Sequence, residues 1–211
     1  MRIFENRRRA GRRLGESLKK YKSESPVVLA IPRGGVVVGY EVAKILKAPL
    51  DVIISRKVGV PFQEELGMGA VAEGGVEILD KALIKGMRIP KKSVDEVIAK
   101  EKKEIERRRS LYRGNKPIVN IENRIVILVD DGLATGVSAR AAIKSLKKLK
   151  PKKIIFAAPV CAKESAENMR SLVDEFFCLL TPSGFSSVGL WYQNFEQVED
   201  EEVKELLSKK I

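Results

Sequence analysis

The chain has 211 residues and a net charge of +12, with 40 lysines and arginines against 28 aspartates and glutamates. That length is sufficient for one α/β domain with a substantial core, so we expect residues 1–211 to form a single domain. The sequence contains no histidine, which excludes Ser-His-Asp and Cys-His nucleophilic catalysis and metal sites built on imidazole.

The cysteines and the apolar runs narrow the class of protein further. Cys161 and Cys178 lie within apolar stretches and lack metal-ligand spacing, which is typical of small buried side chains. No apolar run approaches the roughly 18 residues that span a bilayer, and the first residues lack a secretory signal pattern. We therefore expect a cytoplasmic protein without a membrane partner.

Strand and helix patterns alternate along the chain. Short apolar runs predict strands at 27–31, 50–55, 70–72, 76–79, 125–129, 154–158 and 176–180. Amphipathic periodicity predicts helices at 7–21, 36–47, 92–112, 139–149, 163–172 and 200–208. This alternation favours an α/β fold with a doubly wound, mostly parallel sheet.

Positive charge follows each of the first two predicted strands. The first is followed by Arg33-Gly34-Gly35, in which glycines expose backbone amides beside a guanidinium suited to phosphate oxygens, although the same residues also make an ordinary turn. The second is followed by Arg56 and Lys57 and then by a polar stretch with several glycines. That stretch is too long for an ordinary connection, so we predict a mobile lid within a flexible region at 56–80.

The most informative segment is 125–138, where a buried strand ends in Asp130 and Asp131. A turn of small and hydroxyl-bearing residues then precedes a helix, so backbone amides and the helix dipole can hold an anion. Its members are Ala134, Thr135, Gly136, Val137 and Ser138. The two carboxylates would repel a phosphate, so they are better suited to accept hydrogen bonds from neutral hydroxyls or to contact a divalent cation through water. A sugar phosphate meets both demands, although Asp-Asp-Gly also makes a helix cap after an ordinary strand.

The segment from Val126 to Ser138 resembles the phosphoribosyl diphosphate (PRPP) signature of the type I phosphoribosyltransferases, and it matches without a gap. The resemblance implies that Asp130 and Asp131 hold the ribose 2′ and 3′ hydroxyls, and that the turn from Ala134 to Ser138 surrounds the 5′-phosphate. It also implies that Arg33-Gly34-Gly35 binds pyrophosphate, with a non-proline cis peptide between Pro32 and Arg33. Arg56 and Lys57 would contact the diphosphate beneath a lid that excludes water.

Residues 181–211 combine an aromatic run with the last predicted helix. Trp191 and Tyr192 stand in this run, which indicates either a core cluster or a hood whose rings stack on a flat base. The run is similar to the Val-Gly-aromatic hood of purine phosphoribosyltransferases, which places both rings in the base pocket. Two features depart from the hypoxanthine and guanine enzymes: Ala134 replaces an acidic residue, and 180–183 offers no base-reading lysine.

The resemblance implies an enzyme that transfers the phosphoribosyl group of PRPP to a nitrogenous base, a purine or related heterocycle, and releases pyrophosphate. Mg²⁺ would be the cofactor, held by diphosphate and ribose oxygens with no direct protein ligand. The family also implies a homo-oligomer. We expect Asp130 and Asp131 to face solvent outside the core, so that replacing both by asparagine leaves the fold intact.

Basic residues cluster at 2–22, 91–116 and 144–153. The second cluster is interleaved with acids at helical spacing, which is typical of a solvated helix carrying ion pairs, and a charge-rich composition also fits a heat-adapted protein. An alternative interpretation is a PRPP-sensing regulatory protein that binds nucleic acid through these basic faces. A third is a structural partner of a nucleotide enzyme that retains a relic site.

Overall fold

A computed structural model describes residues 3–114 and 116–211. Met1 and Arg2, the start of the first basic cluster, and Asn115 in the second lie outside the described residues. In the part of the chain that is described, no helix is long and apolar enough to cross a membrane.

The described residues form eight strands and seven α-helices. The strands are β1 (Val27–Ala30), β2 (Leu50–Val52), β3 (Ser55–Val60), β4 (Gln63–Ala72), β5 (Val76–Leu79), β6 (Ile125–Val129), β7 (Lys153–Val160) and β8 (Glu175–Leu180). The helices are α1 (Arg7–Ser17), α2 (Gly34–Leu46), α3 (Lys81–Gly86), α4 (Lys91–Arg113), α5 (Val137–Lys148), α6 (Lys163–Arg170) and α7 (Asp200–Ser208).

Five strands form a central parallel sheet in the order β2-β1-β6-β7-β8. All five residues of β6 are buried, and they alternate between two layers. Val126 and Leu128 pack beneath α5 and α6, whereas Ile127 and Val129 pack beneath α1 and α2. Because a strand covered on both faces is apolar at every position, the sequence predicted it readily. The predicted α/β fold with a doubly wound parallel sheet is confirmed.

The segment predicted as an irregular lid is instead the hairpin of β3 and β4, which forms a separate antiparallel sheet with β5. That part of the prediction was wrong because Gly59, Gly67 and Gly69 lie inside strands, where they read as loop residues in the sequence. The hairpin turns at Phe62, whose side chain is fully exposed. Whether the hairpin moves as a lid stays a prediction.

The remaining differences are local. Helix α3 was not predicted, because it has only six residues and none is fully buried, although Leu83 and Ile84 pack partly buried against the core. It begins after Asp80, whose side chain accepts a hydrogen bond from the Leu83 N–H at 2.8 Å. The first predicted helix ends as α1 at Ser17, and a 3₁₀ segment, Lys19–Glu24, continues to the first strand. Helix α7 has the predicted bounds.

Candidate active site

The acidic pair lies at the carboxyl end of β6, against the glycine turn that follows β1. A Cβ atom added to Gly34 would overlap the Asp131 carboxylate, and one added to Gly35 would lie 3.0 Å from the Val129 carbonyl oxygen. The Asp131 N–H also donates to Asp130 Oδ1 at 2.8 Å, which fixes one carboxylate beside the other. Two predicted loops therefore meet at one edge of the sheet, where ligands of open α/β sheets bind.

The aspartates are not the solvent-facing groups that the sequence led us to expect. Asp131 forms an ion pair with Arg7, whose Nε lies 2.7 Å from Oδ2, and the two side chains are only 16% and 11% exposed. The expectation failed because a residue 124 positions away in the chain covers the strand end. Nothing in the first basic cluster distinguishes Arg7 from its neighbours, so sequence reasoning missed it.

The electrostatics of the pair follow from this burial. Removal from water raises the pKa of Asp130 well above its usual range, and the neighbouring Asp131 charge raises it further. Burial also raises the pKa of Asp131, while the Arg7 guanidinium opposes that rise. The charged form of the pair is therefore favoured at Asp131.

The predicted phosphate loop is held from both sides. Gly136 precedes α5 with φ of 70°, a left-handed conformation that glycine adopts without a Cβ clash. On the other side, Ser165 of α6 donates through its hydroxyl to the Ala134 carbonyl. The Leu133 N–H donates to Val160 O at 2.8 Å, which ties the loop to the end of β7. Ser165 is a second residue that sequence reasoning missed, since it lies on a later helix.

The turn after β1 contains the expected cis peptide between Pro32 and Arg33, which confirms that prediction. The Arg33 side chain points to the start of α7, where Nη1 lies 3.4 Å from Glu199 Oε2 and 3.9 Å from Asp200 Oδ1. Asp200 also accepts a hydrogen bond from the Tyr112 hydroxyl at 2.5 Å. Gly34 and Gly35 therefore face the acidic pair, while the Arg33 guanidinium lies over the C-terminal helix.

Arg56 and Lys57 lie on opposite faces of the hairpin. Lys57 is paired with Ala70, which packs with Ala141 of α5, whereas Arg56 is paired with Val71, which packs beneath α4. Adjacent strand residues point in opposite directions, so the structure does not bring these two cations to one surface.

Each cation has a partner within the chain. Arg56 Nε lies 2.7 Å from Oε2 of Glu101, a buried residue of α4, and both line a cavity of about 230 Å³. Lys57 Nζ donates to the Glu65 carbonyl at 3.0 Å.

The aromatic run lies directly against the acidic loop. The Tyr192 hydroxyl donates to the Asp131 carbonyl oxygen at 2.5 Å, and the Val188 side chain covers Gly132. Yet Tyr192 and Trp191 are only 5% and 6% exposed. The Tyr192 ring packs between Phe4 and Phe195, with centroids 5.5 and 5.1 Å away. The run is thus placed as a hood and packed as a core, and stacking on a base stays a prediction.

Comparison with known proteins gives a consistent result. The family model described as the phosphoribosyl transferase domain matches residues 3–193. Two relatives from Mycobacterium tuberculosis, strains CDC 1551 and H37Rv, are provisionally named phosphoribosyl transferases; each is 39% identical over 209 residues, covering 99% of this chain and 47% of the relative. The chain therefore spans about half the length of these curated relatives.

Two solved structures share the fold. TT1426 from Thermus thermophilus superposes with a TM-score of 0.80 and 38% identity over 97% of both chains. A hypothetical protein from Neisseria gonorrhoeae with bound ppGpp superposes with a TM-score of 0.55 and 14% identity, over 97% of this chain and 94% of that chain. The second likeness shows the fold alone.

Proposed function

The chain belongs to the phosphoribosyl transferase family, and from that premise we propose that it transfers the phosphoribosyl group of PRPP to a nitrogenous base and releases pyrophosphate. One observation carries the proposal. The glycine turn after β1 contacts the acidic pair after β6, and the phosphate loop continues directly from that pair. A diphosphate, a ribose and a 5′-phosphate can therefore occupy three adjoining stations at one sheet edge.

Each station has the chemistry that its part of PRPP requires. At the phosphate loop, the start of α5 offers backbone amides and the hydroxyls of Thr135 and Ser138 to an anion. At the acidic pair, carboxylate oxygens of Asp130 and Asp131 accept hydrogen bonds from ribose hydroxyls. At the glycine turn, the backbone amides of Gly34 and Gly35 would bind the diphosphate. The Arg33 guanidinium would join them after breaking its ion pair with Glu199 at the start of α7.

The two hairpin cations serve the leaving group. Lys57 lies on the face that packs against α5, the helix of the phosphate loop, so it approaches the diphosphate from that side. Arg56 lies on the opposite face, so it reaches the same oxygens only if the hairpin moves relative to α4 and Arg56 exchanges Glu101 for the diphosphate. Positive charge that meets the leaving diphosphate stabilises the transition state, and a closed hairpin keeps water from the reacting carbon. Such a reaction depends on positioning more than on a protein nucleophile, which fits a chain without histidine.

Mg²⁺ fits this site as a cation that arrives with the substrate. Among residues 3–114 and 116–211, no group of three or more acidic or cysteine side chains is arranged to hold a metal. One Asp131 oxygen is already paired with Arg7, so few carboxylate oxygens of the acidic pair are available as ligands for Mg²⁺. When bound, Mg²⁺ supplies positive charge to the diphosphate, whose own oxygens and the ribose hydroxyls are the hard ligands it prefers.

For the acceptor we propose a purine or related heterocycle beside residues 188–192. Val188 and Tyr192 both contact the acidic loop, so this segment lies next to the ribose station. Trp191 and Tyr192 contribute as a wall of the pocket, because their faces are largely covered by Phe185, Phe4 and Phe195. A flat base that contacts this wall gains aromatic packing of about 1 kcal/mol beyond area burial.

The regulatory alternative, in which basic faces bind nucleic acid, has weaker support. Lys144 and Lys148 of α5 donate to the carbonyls of Glu77 and Gly74 on the β3–β5 sheet. Lys153 pairs with Glu175 at 2.9 Å. Three lysines of the third basic cluster therefore contact the protein itself, which leaves fewer of its side chains free to contact phosphates.

Pyrophosphate release from PRPP and Mg²⁺, screened over purines, pyrimidines and related heterocycles, tests the proposal. We expect release with at least one heterocycle and a large loss in the Lys57→Gln variant. Lys85→Gln is the matched control, because Lys85 is an exposed lysine on α3. A protein that binds PRPP but releases no pyrophosphate with any heterocycle would refute the enzyme and favour the sensing alternative.

A further inference from the structure

One guanidinium from the N-terminal helix joins three parts of the site. Arg7 Nε lies 2.7 Å from Asp131 Oδ2, and Nη1 donates to the Glu196 carbonyl at 2.8 Å. Its Cζ lies 3.7 Å from the centroid of the Phe195 ring. The contacts are charge-assisted on one side and cation–π on the other, and both are strengthened where water is excluded. Arg7 thus fastens the acidic loop to the C-terminal segment 192–196.

The backbone fixes where this guanidinium lies. Asn6 caps α1 by accepting from the Arg9 N–H at 2.9 Å, so the helix begins at Arg7. The residues just before it pair with the aromatic run: Phe4 N–H donates to Trp191 O at 2.8 Å, and Gln193 N–H donates to Phe4 O at 2.8 Å. Arg9 of the same helix differs from Arg7 in exposure: it forms an ion pair with Glu5 in which both side chains are about 60% exposed, and such a surface pair contributes little.

The contact also determines which atoms of the acidic pair are available. Arg7 engages Oδ2 of Asp131, which leaves Oδ1 as the acceptor for a ribose hydroxyl. The charged and titratable groups around this carboxylate are Asp130 from the same strand end, Arg7 from α1 and the Tyr192 hydroxyl from the C-terminal segment. Beyond them, the Asp130 charge contributes to the raised pKa of Cys161 at the end of β7. Arg7 is the cation of this set, and its charge opposes the rise that burial gives the pKa of Asp131.

We propose that Arg7 is a positioning residue, which orients the Asp131 carboxylate for the ribose and holds segment 192–196 over the acidic loop. Its consequence for substrate rests on the proposed function, whereas its coupling to Asp131 does not. Loss of Arg7 therefore produces two effects that can be measured separately, one on the carboxylate and one on the covering segment.

The experiment compares Arg7→Gln and Arg7→Lys with Arg9→Gln, the exposed arginine of the same helix. In the ligand-free protein, a carbon-13 carboxylate titration by NMR follows the pKa of Asp131. Acrylamide quenching follows Trp191, the single tryptophan of the chain, which is 6% exposed. Calorimetry with PRPP and Mg²⁺ then gives the affinity of each variant as a function of pH.

We expect Arg7→Gln to raise the pKa of Asp131, to increase quenching of Trp191, and to weaken PRPP binding about tenfold to a hundredfold near neutral pH, as loss of a charged hydrogen bond does. The loss should shrink as pH rises above the shifted pKa. Arg7→Lys retains the positive charge but lacks the planar guanidinium with its several donors. This variant should therefore have the wild-type Asp131 pKa, while its Trp191 should be quenched more than in the wild type. Arg9→Gln should match the wild type in all three measurements.

An Arg7→Gln variant with the wild-type Asp131 pKa and wild-type quenching would overturn the proposal. If the wild type fails to bind PRPP while Arg7→Gln changes both ligand-free measurements, the proposed function fails and the positioning role stands. If Arg7→Gln does not fold, Arg7→Lys decides, because unchanged quenching and unchanged PRPP affinity in that variant would equally overturn the proposal.

Discussion

Gly34 is the residue where the glycine turn after β1 and the acidic loop after β6 approach each other closely, so a single methyl group there tests their contact. In Gly34→Ala the new Cβ would overlap the Asp131 carboxylate and lie 2.7 Å from its Cγ and 2.8 Å from Arg7 Nε. Neither partner can move freely, because Asp131 and Arg7 hold one another in a contact that is largely buried. The added methyl therefore displaces the carboxylate or breaks the ion pair.

The magnitude follows from two opposing terms. Overpacking of a well-packed site costs about 1–3 kcal/mol. Replacing glycine by alanine returns roughly 0.5–1 kcal/mol in the middle of a helix, and this is an upper limit for Gly34 because it is the first residue of α2. We expect a net loss on the order of 1 kcal/mol in the free energy of unfolding. PRPP affinity should fall at least about tenfold, because a displaced carboxylate loses a hydrogen bond to the ribose.

Urea unfolding and calorimetry with PRPP measure the two effects, and Gly86→Ala is the matched control. Gly86 ends α3, and a Cβ there meets nothing within 4 Å. That variant should be as stable as the wild type or slightly more so, with unchanged PRPP affinity. A Gly34→Ala protein with the stability and affinity of Gly86→Ala would refute the contact between the loops.

Three further outcomes are expected. Asp130→Asn should stabilise the ligand-free protein at pH 7, because it removes a carboxylate whose pKa is raised by burial and by the Asp131 charge. Asp131→Asn should destabilise the protein, because it leaves the Arg7 guanidinium without its ion-pair partner. Thermal unfolding measures both effects, and both variants should bind PRPP more weakly. Glu73→Ala should cost about 3–5 kcal/mol in urea unfolding, since it breaks the ion pair with Arg113, in which the two side chains are only 11% and 6% exposed. Glu65→Ala is the control and should cost little, because Glu65 is fully exposed. Hydrogen bonds from Tyr21 and Lys153 lower the pKa of Glu175 from 4.5 to about 2. The ionised Glu175 therefore stabilises the fold above pH 4.5, and this contribution is lost as the pH falls towards 2. The difference in stability between the wild type and Glu175→Gln should disappear over the same range.

The parts of the site that the sequence predicted are those encoded locally. Strand β6, the acidic pair and the phosphate loop occupy one continuous segment, and a strand buried on both faces cannot be mistaken for an amphipathic element. The bounds of α7 also agree with the prediction from amphipathic periodicity, and the structure shows three acids in its first turn, Asp200, Glu201 and Glu202, which suit a helix start.

The parts that were missed depend on contacts between distant residues. Arg7 is one arginine among several in its cluster until α1 folds over a strand end far along the chain. The hairpin was mistaken for a loop because its glycines lie where another strand approaches, which only pairing with β4 and β5 shows. From the sequence, the aromatic run could be either part of the core or a hood over the site. In the structure its rings are buried like core residues, yet the run lies against the acidic loop, where a hood would have to be.

The cations of the candidate site differ in how strongly other side chains hold them, and on the proposed function this difference should set the order in which they contact a diphosphate. Arg33 and Lys57 pair with Glu199 and Glu65, whose side chains are 59% and 102% exposed, so exchange for a diphosphate costs little.

Arg56 pairs with Glu101, which is only 10% exposed, and leaving that carboxylate without a partner is costly. Arg33 and Lys57 should therefore meet the diphosphate first. Arg56 should follow only when movement of the hairpin relative to α4 opens its ion pair. On the proposed function, we therefore expect hairpin closure and charge stabilisation of the leaving group to occur together.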